Sequence, residues 1–97
     1  MKIWLDDERP MQEPYDIHAK TAEEAIAFLG TGQVTHISLD HDLGQELTGY
    51  DVAKWIEEQA FHGNLAPLHL AVHTANPAGR KNILMALQNA ERHWSYL

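Results

Sequence analysis

The chain contains no cysteine. Disulfide bonds, thiolate zinc sites and a cysteine nucleophile are excluded with it. Basic residues are also scarce, with 7 Lys plus Arg against 14 Asp plus Glu and a net charge of −7. An extended nucleic-acid duplex needs a basic face, so such a partner is not expected. One small phosphorylated ligand remains compatible with this charge, because a bound divalent cation inverts the local field. Long apolar runs are missing too. None approaches the roughly 20 residues of a membrane span, so no membrane partner is expected. Met1-Lys2 leads straight into a strand-like run without a signal-peptide pattern, and cytoplasm is the default compartment.

What is present suffices for one modest core. The 97 residues are 44% hydrophobic and read as a single domain over 1–97, without repeats, linkers or low-complexity segments. Lys2 to Leu5 is a short apolar strand that stops in Asp6-Asp7-Glu8-Arg9-Pro10, where the proline ends regular pairing. Tyr15 to Lys20 reads as a second strand, with Ile17 and Ala19 on one face. The link between these two strands is too short for an ordinary crossover helix, so parallel pairing requires a bare loop crossover. Thr21 and Glu24 fit a capping box, and Ala22, Ala25, Ile26 and Leu29 follow at helical spacing up to Gly30. Val34 to Leu39 is the next strand. Gly49 to Phe61 reads as a helix, with Val52, Ile56 and Ala60 on one face. Leu68 to His73 is a further strand. Asn76 caps a last helix that begins at Pro77 and buries Ile83, Leu84, Leu87, Ala90 and Trp94. Strands alternating with helices imply an α/β fold with a parallel sheet flanked by helices.

Three strands end in polar clusters: Asp6-Asp7-Glu8-Arg9, Asp40-His41-Asp42 and His73-Thr74-Ala75-Asn76. Each alone has an ordinary explanation as loop solvation, a salt bridge or a helix cap. In a parallel sheet all three share the carboxyl edge, where open α/β sheets bind ligands. Crowded carboxylates repel one another unless a cation sits among them. Mg²⁺ (or Mn²⁺) suits oxygen donors, keeps several waters and bridges to phosphate. On this reading Asp6, Asp7, Asp40 and Asp42 are the metal candidates. Arg9 and Arg80 are phosphate clamps, with the last helix's first amides as a further anion site. His41 and His73 are the candidates for proton transfer. His69 and His73 do not form a zinc pair, because four residues along a strand span roughly 13 Å. His18, His36, His62 and His93 show no partner pattern. Trp4, Trp55 and Trp94 read as core.

Four segments carry a resemblance: Leu5-Asp6-Asp7-Glu8-Arg9-Pro10, Ser38-Leu39-Asp40-His41-Asp42-Leu43-Gly44, Thr48-Gly49-Tyr50-Asp51 and His73-Thr74-Ala75-Asn76-Pro77-Ala78-Gly79-Arg80. Together they resemble the cyclic-phosphate-processing receiver-like domains, whose fold is that of response-regulator receivers. The resemblance implies a truncated, flavodoxin-like parallel sheet of about four strands in the order 2-1-3-4. It implies that Asp6 and Asp7 are the metal-binding acidic pair and Asp40 the counterpart of the phosphoacceptor aspartate. Thr74 falls at the receiver's hydroxyl position, and Thr74 and Asn76 join the phosphate-binding candidates. Against the receiver pattern, neither a helix between the first two strands nor a fifth strand with its lysine is expected, and the exposed sheet edge would then be a route to a homodimer.

The resemblance implies a Mg²⁺-dependent phosphodiesterase acting on a cyclic phosphate of a nucleotide or RNA end. In it His41 or His73 moves a proton, or Asp40 attacks phosphorus itself. The alternatives are a module that binds such a ligand without turning it over, and a degenerate receiver acting through protein contacts.

Overall fold

The structure is a computed structural model and describes residues 1–96. Its elements are β1 (Lys2–Leu5), β2 (Ile17–Ala19), α1 (Ala22–Leu29), β3 (His36–Leu39), α2 (Gly49–Phe61), β4 (His69–Val72) and α3 (Pro77–Trp94). The strands form one parallel sheet in the order β2-β1-β3-β4. Strands β2 and β4 are one or two residues shorter at each end than the apolar runs suggest, and β3 is two residues shorter at its start, because pairing does not extend over the whole runs.

Topology explains why the helices share a side. The connections β2-α1-β3 and β3-α2-β4 cross the sheet in the same direction. Right-handed crossovers then place both helices on the same face. The β1-to-β2 link runs the opposite way and carries no helix; residues 6–16 cross as loop. This loop is pinned at its ends, where the Asp6 amide donates to Ala19 O (3.1 Å) and the Asp16 amide to Lys2 O (2.9 Å).

Strand register sorts the side chains. Ile3 pairs with Ile17 and Ile37, Leu5 with Ala19 and Leu39, and Leu70 and Val72 continue the rows onto β4. Ile3, Leu5, Ala19, Ile37 and Leu39 pack with Ala22, Ala25 and Leu29 of α1, Val52, Ile56 and Ala60 of α2, and Ile83, Leu87, Ala90 and Trp94 of α3. Each large apolar group buried there contributes about 1.5–3 kcal/mol. Leu84, expected in the stripe, is only half-buried, because it lies one helical step off the Ile83–Leu87–Ala90 line. Trp55 is also half-buried. Trp94 is in the core and donates its Nε1–H to Leu65 O at 2.9 Å.

The intervening residues Trp4 and Ser38 pair with each other in register and point to the opposite face. Trp4 is buried there, outside the main core, under Tyr15 of the crossover loop (ring centroids 5.5 Å apart). Its Nε1 has no hydrogen-bond partner among the described residues.

Helix starts follow local chemistry. The Thr21 hydroxyl accepts from the Glu24 amide at 3.1 Å. A complete capping box sits at α2, where Thr48 caps the first turn and the Asp51 carboxylate accepts the Thr48 amide at 2.7 Å. The Asn76 side chain accepts from the Gly79 amide at 2.9 Å to start α3. Among the described residues no helix is long and apolar enough to cross a membrane.

Candidate functional site

Asp6 directly follows β1 and Asp40 directly follows β3, and these strands are paired in the same direction. Their carboxylates therefore emerge side by side at the carboxyl edge of the sheet. With Asp7 they form a trio whose donor oxygens all lie within 4.8 Å of one another. The trio borders a cleft of about 320 Å³, which Asp42, Arg9 and Thr74 also line. Five carboxylates and a single guanidinium face this space.

Asp6 is wholly buried. Its Oδ1 accepts the amides of Glu8 and Arg9, both at 2.8 Å, and its Oδ2 lies 3.1 Å from His73 Nε2. Burial pushes its pKa up, but the two amides and His73 together outweigh that, and the carboxyl sits below the ordinary aspartate value. Asp40 is nearly buried and accepts the His41 amide at 2.8 Å. The start of α2 presses directly on the Asp40 carbonyl, and a Cβ at Gly49 would overlap it. The chain passes close enough only because residue 49 is glycine. Arg9 donates to His73 O at 2.7 Å and stands 3.7 Å from Asp6 and 4.0 Å from Asp40. It is thus the cation already built into the cleft.

His73 is held on three sides. Its Nε2 meets Asp6, its Nδ1 meets Ser38 Oγ at 2.6 Å, and its ring stacks on Trp4 with centroids 3.7 Å apart and planes 10° from parallel. Burial lowers its pKa from the ordinary histidine value, against the opposing pull of Asp6, so the ring is neutral near pH 7. His18, which showed no partner pattern in the sequence, also serves this corner, with its Nε2 2.8 Å from Asp6 O. His69 stacks on His36 across the β3–β4 pair, away from His73.

The remaining candidates separate from the trio. Asp42 lines the cleft, but its carboxylate meets His41 Nδ1 at 2.9 Å and Asn76 Nδ2 at 3.4 Å. The His41 hydrogen bond, more than the opposing desolvation, lowers the Asp42 pKa. His41 itself does not line the cleft; its ring lies against α3, where a Cβ at Gly79 would overlap it. Asn76 is committed to capping α3 and holding Asp42. Arg80 is not brought to the cleft. It lies on the outer side of α3, in a separate groove with Lys81 and Met85, and its Nη1 reaches only Val72 O at 3.4 Å.

Sequence reasoning missed Ser38, Trp4 and the two close-packed glycines as parts of the site. Ser38 carried a signal, being the one polar residue inside the apolar Ile37–Leu39 run and two residues before Asp40, hence on the same side of the strand.

The donor set fits a hard divalent cation. Three carboxylate oxygens within 4.8 Å of one another can converge on an ion that prefers oxygen donors and fills its remaining positions with water.

A four-stranded parallel sheet in the order β2-β1-β3-β4, with acids at the ends of β1 and β3, defines a receiver-like α/β domain. The sequence matches the family described as the cyclic-phosphate processing receiver domain over residues 1–89, and the chain belongs to that family. It is accordingly a receiver-like domain associated with cyclic-phosphate processing. Neither the curated proteins nor the solved structures give a match to it.

Proposed function

We propose that this domain is a Mg²⁺- or Mn²⁺-dependent phosphoesterase that opens a cyclic phosphate on a small nucleotide or an RNA end. The observation that carries the proposal is the convergence of three carboxylates and one guanidinium on a single cleft at the sheet's carboxyl edge. Asp6, Asp7 and Asp40 hold the cation, which when bound supplies Lewis-acid polarisation of a phosphoryl oxygen.

The chain's own residues do the rest. Arg9 turns from its two aspartates toward the incoming phosphate and offsets charge developing on its oxygens. Thr74, at the cleft wall, offers a hydroxyl to the same group. Of the two histidines, His41 is the one with a ring nitrogen free to carry a proton. Its Nδ1 is fixed by Asp42 and its Nε2 has no hydrogen-bond partner among the described residues, whereas both ring nitrogens of His73 are engaged. A hydrolytic turnover forms a bond from water oxygen to phosphorus and breaks one ester P–O bond. The departing alkoxide gains a proton and a phosphate monoester remains. In the covalent variant an Asp40 oxygen attacks first, and water then cleaves the acyl-phosphate.

The test is incubation with 2′,3′-cyclic and 3′,5′-cyclic nucleotides, with Mg²⁺ and with EDTA. A phosphomonoester that forms only with the metal supports the reading, and no product from any substrate refutes it. A second reading, binding without turnover, is favoured by the absence of both histidines from the cleft wall. Calorimetry that gives tight binding with the cyclic nucleotide recovered intact would select it.

A further inference from the structure

An ionised carboxylate that is to grip a cation must be held in one orientation. Asp6 has its Oδ1 occupied by two backbone amides, so Oδ2 is the oxygen left to face the cleft. The partner that steadies Oδ2 is His73 Nε2 at 3.1 Å. A carboxylate has no proton to give, so Nε2 carries the hydrogen and donates it. The other nitrogen of a neutral imidazole is then an acceptor, and the Ser38 hydroxyl donates to it at 2.6 Å. Ser38 is 2% exposed, so its hydroxyl has no solvent to turn to. Trp4 fixes the remaining freedom by stacking on the ring face. Three adjacent strands thus contribute one hydrogen-bonded line, Ser38 to His73 to Asp6.

We propose that Ser38 and His73 are positioning residues that set the Asp6 carboxylate for cation binding, and that His73 is no proton carrier. The proposal rests on the cation reading of the cleft given above. Serine, histidine and aspartate in line also suggest a nucleophilic triad, but Ser38 is buried and unreachable by a substrate. Groups behind a metal ligand govern affinity by orienting it, and their loss weakens binding about 10–100-fold.

The experiment is Mn²⁺ titration by calorimetry on the whole chain as wild type, Ser38→Ala, His73→Phe and His73→Gln, with urea unfolding of each. The glutamine amide restores an N–H donor near the Nε2 position. His73→Phe is expected to bind Mn²⁺ about 10–100-fold more weakly and Ser38→Ala several-fold more weakly. His73→Gln should stay within a few-fold of wild type. A general loss of packing would not follow that order. Nitrogen-15 correlation spectra of the imidazole give a second readout independent of metal. The wild-type ring is expected as a single Nε2–H tautomer, mixed or inverted in Ser38→Ala. Equal Mn²⁺ affinity across the series, or a wild-type Nδ1–H ring, overturns the proposal alone. A wild type that binds no Mn²⁺ overturns the cation reading and this inference with it. If His73→Phe fails to fold, Ser38→Ala against wild type decides the matter.

Discussion

Substituting Gly49 with alanine should damage the cation site as well as the fold. The added Cβ would overlap the Asp40 carbonyl, so the first turn of α2 or the Asp40 backbone must yield by roughly an ångström. Overpacking of this kind costs about 1–3 kcal/mol. Alanine's better helix propensity returns up to about 1 kcal/mol, leaving a net loss of about 0–3 kcal/mol. In a domain of this size that lowers the melting temperature by up to roughly 24 °C. Asp40, however, is one of the three ligands, and displacing it should weaken Mn²⁺ binding by about 10–100-fold. Gly63→Ala is the matched control. Gly63 has a φ of +72° with nothing within 4 Å of a built Cβ, so the substitution costs about 1–2 kcal/mol in backbone strain without touching the cleft. Urea unfolding and Mn²⁺ calorimetry on both variants give the comparison. If Gly49→Ala binds Mn²⁺ as tightly as Gly63→Ala, the close approach of α2 does not set the Asp40 position and the reasoning is refuted.

Two further outcomes are expected. Because burial holds the folded His73 pKa below its unfolded value, the unfolded chain takes up a proton first as pH falls through about 6.5. The His73 contribution is therefore complete above that value and declines below it; urea midpoints from about pH 8 to 5 should fall more steeply for wild type than for His73→Gln, and parallel curves would contradict this. Arg9→Ala should weaken phosphate-ligand binding about 10–100-fold, the worth of a charge-assisted hydrogen bond, while Arg80→Ala leaves it within two-fold, about the noise of titration; equal losses would return Arg80 to the site.

The sheet was legible because parallel strands that end in acids leave a plain signature. Ile3-Trp4-Leu5 before Asp6 and Ile37-Ser38-Leu39 before Asp40 gave both the elements and the shared edge. Cap residues Thr21 and Asn76 marked two helix starts correctly, whereas the Thr48–Asp51 box was overlooked although its spacing is the usual one. What was not legible depends on side-chain direction. Arg80 lies beside Pro77 and Leu84 on a helix whose buried line runs through Ile83, Leu87 and Ala90, and only that offset turns it away from the cleft. Trp4 reads as core because it is apolar, and it is buried, but strand alternation sends it to the face opposite Ile3 and Leu5. His73 looked like an acid–base group because of its place at a strand end, and its three partners come from residues 35 to 69 positions away in the chain.

Titration of Mg²⁺ into EDTA-stripped wild type and Asp7→Asn decides whether the acidic trio holds a cation. Asp7 is half-buried and its side chain accepts no hydrogen bond from the described residues, so the substitution should remove a ligand and leave the fold intact. One Mg²⁺ per chain is expected for wild type and binding at least tenfold weaker for Asp7→Asn, in line with the loss of one carboxylate ligand. A wild type that takes up no Mg²⁺, or two proteins that bind it alike, would contradict this.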